Sequence, residues 1–274
     1  MRMPSRLFLT VIAIVMLLGF GSETKSVYAQ NGFGSFSGQF VLDGIIPEPK
    51  ILVKKNQNVK NPNVCAVANL LDESLVVDKK TKGIKNIFIY IRKVDKIHPA
   101  LKVTPKNKLE IVFDQQACQF SPHAMFVRTD QTVLVKSNDA CSHNTHTYPL
   151  KNQAENFIIP NINRAGVPLK HPVAEILPIK VSCDIHPWMK AWWLILDHPY
   201  AAVTSKDGKF KIENLPEGQY DFIVWHEQTG YIGSKKGHYP SGVATKKGFK
   251  VTVQPRKNTK FKAFLVPTEE FEDI

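Results

Sequence analysis

The stretch 181–196, VSCDIHPWMKAWWLIL, most narrows what this chain can fold into. It places a thiol (Cys183), an imidazole (His186) and a thioether (Met189) within seven residues, between two apolar runs. Short apolar runs without helical periodicity read as strands, so the three side chains belong to a tight loop joining strand ends. A thiolate and an imidazole with a weak axial thioether suit a copper ion that alternates between Cu(I) and Cu(II), once a second imidazole completes the plane. Residues 137–144, SNDACSHN, supply the candidate, His143. The expected ligands are therefore His143, Cys183 and His186 in the plane, with Met189 on the axis. Zinc is the competing metal, since a tetrahedral sulfur and nitrogen site suits it as well.

The text around these residues extends the pattern. Phe120-Ser121-Pro122, then TVLVKSND at 132–139, then His143-Asn144, then Cys183-x-x-His186-x-x-Met189 resembles the short-loop cupredoxins, the small blue copper proteins of amicyanin type. The likeness covers about residues 101–197 and implies a Greek-key β-sandwich at 100–197 holding one copper ion. It also implies that Asn144 hydrogen-bonds within the Cys183 loop and keeps it rigid. Pro187 and Trp188 would frame an apolar patch through which His186 presents its edge to a redox partner, a cytochrome or a dehydrogenase. Two features depart from the family: Thr129-Asp130-Gln131 stands where a glycine is usual, and Cys141 lies beside His143.

The flanking sequence reads differently. Residues 202–212 suggest a hairpin with Asp207-Gly208 at its tip; a turn at 215–218 and strands at 220–225, 249–253 and 261–266 follow. The run from Thr204 through Asp207-Gly208, Phe210, Ile212, Asn214-Leu215-Pro216 and Gly218 to Tyr220 resembles the carboxypeptidase regulatory-like (transthyretin-like) sandwich. Alternating residues 36–42 and the apolar run 87–91 would supply its earlier strands. The expected fold class is therefore all-β: a cupredoxin sandwich inserted in, or packed on, a second sandwich made of 34–95 and 200–268. Residues 50–80 read as a long connection with one short strand at 74–77. Residues 152–171 read as an irregular loop with a turn of helix.

Arg2 and Arg6, an apolar core at 7–20 and Val27-Tyr28-Ala29 before Gln30 mark residues 1–29 as a secretory signal peptide. The expected location is the periplasm or outside the cell, with no membrane span after its removal. The formal net charge of +12 comes from scattered lysines. They lack aromatic interleaving and read as solvated faces, not a nucleic-acid surface. In an oxidising compartment the four cysteines permit disulfides. With Cys183 reserved for metal, Cys65 with Cys118 is favoured over Cys118 with Cys141, because Cys141 precedes a ligand by two residues. No Ser nucleophile elbow, H-E-x-x-H or phosphate loop is present, and the neighbours His226 and Glu227 diverge on a strand, so the expectation is no enzyme. The expected task is one-electron transfer. Copper handling or storage, or a structural module with a degenerate site, are the alternatives.

Overall fold

Alternation along the strand Phe33–Asp43 sends Phe36, Phe40 and Leu42 to one face. This strand pairs antiparallel with Lys209–Pro216 and parallel with Asn258–Lys260 and Phe264–Pro267. Facing it is a sheet ordered Ala201–Val203, Phe88–Tyr90, Gly218–His226, Gly248–Val253 and Ala244–Thr245. The computed structural model describes residues 32–102 and 110–271, so the expected signal peptide at 1–29 lies outside the described residues. Those residues are all-β apart from single helical turns at Pro62–Cys65, Pro99–Leu101 and Thr268–Phe271. No helix among them is long and apolar enough to cross a membrane.

The expected hairpin at 202–212 is not one. Ala201–Val203 and Lys209–Pro216 lie in different sheets, and residues 205–208 carry the chain across the sandwich. Thr204 fixes the crossing: its hydroxyl donates to Ile84 O (2.7 Å) and accepts from Ile87 N (2.9 Å). Gly208 has φ +76°, and a Cβ there would lie 2.2 Å from Phe40 O, so the turn is seated against the opposite strand by residues with no side chain to intrude.

The second sandwich packs the sheet Asn156–Ile159, His143–Tyr148, Ile179–Ser182, Lys190–Leu196 and Ala124–Arg128 against Val167–Lys170, Thr132–Val135, Glu110–Gln116 and Gln119–Ser121. Its core includes Phe113, Phe120, Val133, Val135, Val181 and Trp193. The interval 152–171, expected as a loop with a turn of helix, instead supplies one edge strand to each sheet. Each is four residues long, and Pro168 is tolerated because its strand is an edge. At 74–77, Val77 makes only an isolated bridge to Ile84.

Two further contacts decide what surrounds the loop at 183–189. The outer faces of the two sandwiches meet through Phe88, Tyr90, Ala124, Leu194, Leu196, Ile223 and Trp225, with Trp192 against Trp225 at 4.9 Å between ring centroids. Residues 51–71 form a small lobe, Ile51–Val53 paired with Leu70–Leu71 around the turn Pro62–Cys65. This lobe lies within the 34–95 stretch assigned from sequence to the transthyretin-like sandwich. Yet its buried residues Val53, Cys65, Ala66 and Leu70 belong to the core of the other one. The disulfide Cys65–Cys118 ties it there.

Candidate metal centre

The centre forms at one end of the sheet because of strand register. Antiparallel pairing sets Ser182 opposite His146, which brings Cys183 beside the first residues of the strand His143–Tyr148. The loop beyond Cys183 closes on itself: Cys183 N donates to Met189 O (3.2 Å) and Met189 N to His186 O (2.9 Å). Asn144 pins it from the neighbouring strand. Its Oδ1 accepts from Asp184 N (2.7 Å) and Ile185 N (3.2 Å), and lies 3.3 Å from Cys183 Sγ. Its backbone N–H donates to Cys183 Sγ (3.5 Å), and its amide Nδ2 donates to Asn156 Oδ1 and Asp184 Oδ2.

His143, Cys183 and His186 are all buried, with one potential ligand atom from each within 4.8 Å of the others. His143 Nδ1 and His186 Nδ1 are 2.9 Å apart, and Cys183 Sγ is 3.8 Å from His186 Nδ1. The far nitrogens determine what this contact means. His143 Nε2 faces the Asp139 carboxylate at 2.8 Å, and His186 Nε2 faces Asn61 Oδ1 at 3.1 Å. Both partners are acceptors, so both Nε2 atoms carry the proton and both Nδ1 atoms turn a lone pair inward. Two lone pairs at that distance are held together only by positive charge between them, a proton or a metal ion. The residues therefore fit a soft or borderline metal on chemical grounds.

The electrostatics agree with this donor set. Burial works to raise the Cys183 thiol, but the adjacent His143 and His186 rings and the Asn144 backbone N–H overcome it and bring the thiol down to about 6. A thiolate is thereby available near neutral pH. Burial opposes protonation of His143, but Asp139 and Cys183 together leave it raised above its ordinary value. Asp139 is buried too, yet its bonds to His143 and to the N–H groups of Cys118 and Ala117 hold it below the usual carboxylate range.

The structure differs from expectation at the outer histidine. His186 does not present an edge at the surface: it is fully buried, and Asn61 of the 51–71 lobe covers its Nε2. Pro187 is exposed and Trp188 half-buried, but the Trp188 indole N–H is turned onto Cys118 O (3.1 Å). The apolar patch expected around these two residues is thus partly roofed by the disulfide-bonded lobe. Met189 is buried in the same core as Cys183. Asn61 and Asp139, which set the proton positions on the two histidines, were given no role from sequence. Asp139 stood within the N-x-D text; Asn61 lies 125 residues from His186 with no local signal.

The remaining histidines have other surroundings. His146 stacks on Tyr148 and meets Asp184; three residues from His143 on a strand, it points to the opposite face. His123 is buried with its ring nitrogen against the Glu227 carboxylate, which also accepts from the Trp192 indole (2.8 Å). His226 turns the other way, edge-on to Phe271. Among the described residues neither His171 nitrogen has a hydrogen-bond partner, nor has His226 Nε2, and burial brings both residues down to about 4.

No protein-family model and no curated protein matches the chain. Among solved structures, it is similar to an amicyanin variant in its reduced Cu(I) form, at 20% identity over 34% of this chain and 86% of that one, TM-score 0.28. A second reduced amicyanin variant is 17% identical over 39% of this chain and 97% of that one, TM-score 0.28. A copper-containing nitrite reductase from Thermus scotoductus SA-01 is 17% identical over 38% of this chain and 25% of that one, TM-score 0.26. At these TM-scores the likenesses carry nothing further, and the case for a metal rests on the donor atoms.

Proposed function

We propose that this chain is an exported mononuclear copper protein that carries single electrons. His143 Nδ1, His186 Nδ1 and the Cys183 thiolate would hold the ion, with the buried Met189 offering a weak thioether donor. The observation that carries the reading is the buried meeting of His143 Nδ1 and His186 Nδ1, 2.9 Å apart, with Cys183 Sγ 3.8 Å from the latter. Copper bound there would supply a one-electron couple, and a mixed sulfur and nitrogen set accepts both oxidation states. The protein's part is rigidity. Asn144 fixes the Cys183 loop, Asp139 and Asn61 fix the two rings, and little has to move when the charge changes. In this reading the protein is not an enzyme; it works with a redox protein, in the periplasm or outside the cell.

The test is metal analysis of the purified protein with its visible spectrum after Cu(II) loading. One equivalent of copper with an intense sulfur-to-copper charge-transfer band supports the reading, and Cys183→Ser should lose the band. A protein that takes up Cu(II) and stays colourless contradicts it. One observation favours a second reading, copper handling: Asn61 and its lobe cover the His186 edge. A copper handler would release its ion to a Cu(I) chelator faster when the lobe is loosened, while an electron carrier would keep it.

A further inference from the structure

We infer that Cys65, Cys118 and Cys141 form a second copper site, which takes Cu(I) once the Cys65–Cys118 disulfide is reduced. The three sulfurs lie within 4.8 Å of one another and of a His186 nitrogen, and all four residues are buried. A trigonal ion with metal–sulfur bonds of about 2.3 Å needs sulfurs about 4 Å apart. The bonded pair must separate to reach that spacing, while Cys141 already lies within 4.8 Å of both. Three thiolates and no free carboxylate select Cu(I) over harder ions. Asp139, the nearby acid, is already engaged by His143 and by two backbone N–H groups.

Cys141 is what this site explains. It is a free, buried thiol beside a disulfide, 3.7 Å from His143 Nε2, and it takes no part in the first centre. Reduction requires a dithiol. One thiolate of the reductant attacks a disulfide sulfur, giving a mixed disulfide; its second thiolate closes the reductant's own disulfide and expels the protein sulfur. Cys65 and Cys118 leave as thiols, the reductant is oxidised by two electrons, and Cu(I) then displaces the three thiol protons. The two centres would be linked through the protein. Cys118 N holds Asp139, and Asn61, on His186, lies four residues before Cys65.

This inference deepens the copper-handling reading; the site adjoins the first centre through the His143 and His186 rings but draws on three sulfurs the first centre does not use. The experiment is an anaerobic Cu(I) titration against a chromogenic Cu(I) chelator. It compares untreated protein with protein reduced by dithiothreitol and desalted, with thiol titration rising from two to four. One equivalent before reduction and two after is expected, and Cys141→Ser should remove the gain. In Cys183→Ser the gain should persist over a lost baseline. A native protein with no baseline that still gains one equivalent would sink the first centre and leave this one standing. No gain on reduction, a gain that survives Cys141→Ser, or a reduced protein that loses its sheet circular dichroism would each overturn the second site.

Discussion

The two sandwiches fill their centres with opposite materials. In the one built from Phe33–Asp43 and its partners, Phe36, Phe40, Phe210, Phe222, Phe249 and Phe264 pack ring on ring, Phe249 and Phe264 stacked at 4.6 Å. Such pairs add about 0.5–1.5 kcal/mol each beyond the area they bury. In the other, a core around Phe113, Val133 and Trp193 ends in His143, Cys183 and His186, with Asp139 and Asn144 behind them. The aromatic core is complete as it stands. The second core closes around two inward lone pairs and a thiol held near 6, so its stability depends on what positive charge sits there. One sandwich is a frame and the other carries the chemistry.

The largest expected separation comes from Phe249→Ala. Removing a fully buried ring should cost about 3–5 kcal/mol. Urea unfolding followed by circular dichroism should show that loss, while copper uptake at 25 °C stays unchanged. A variant that also lost copper uptake would mean the two cores are not independent.

Acid should act on both regions alike. His171 sits in the second sandwich and His226 in the first, each neutral when buried and held near 4 against an ordinary 6.5. Because the folded value is depressed, the unfolded chain binds protons more readily. Stability should be full above about pH 6.5 and fall as pH drops from there to about 4, by up to about 3 kcal/mol for each histidine. Urea midpoints at pH 7.5 and pH 4.5, measured with a chelator present, check this. A flat profile would contradict it.

Smaller effects belong to the residues behind the ligands. Asp139→Asn removes the carboxylate that keeps the proton on His143 Nε2 and should weaken copper binding about 10- to 100-fold in chelator competition. Asn61→Ala breaks one hydrogen bond to His186 and should cost only about 0.5–1.5 kcal/mol of stability. Its sharper readout is a faster copper off-rate, because the lobe loses its hold on the ring. An unchanged off-rate would mean that the roof over His186 is not a gate.

The parts legible in the sequence were those whose signal is local. Cys183, His186 and Met189 fall within seven residues, and His143-Asn144 ends a readable text; strands such as Lys190–Leu196 are long apolar runs. What escaped was non-local. Asn61 sits in an aperiodic Lys- and Asn-rich stretch and gains meaning only when the disulfide lobe folds back onto the other sandwich. Its left-handed backbone, φ 55°, suits asparagine but says nothing of a partner 125 residues away. The edge strands Asn156–Ile159 and Val167–Lys170 are too short to show a period. Asp207-Gly208 reads as a hairpin tip whether its flanking strands pair or part, and here they part.

The central claim is that nitrogen from residue 143, nitrogen from residue 186 and sulfur from residue 183 meet on one ion. Copper K-edge X-ray absorption on the singly loaded, unreduced protein tests it most directly. One short sulfur neighbour with two imidazole nitrogens is the predicted shell, and Cys183→Ser should remove the sulfur. A shell of nitrogen and oxygen alone in the unsubstituted protein would contradict the account.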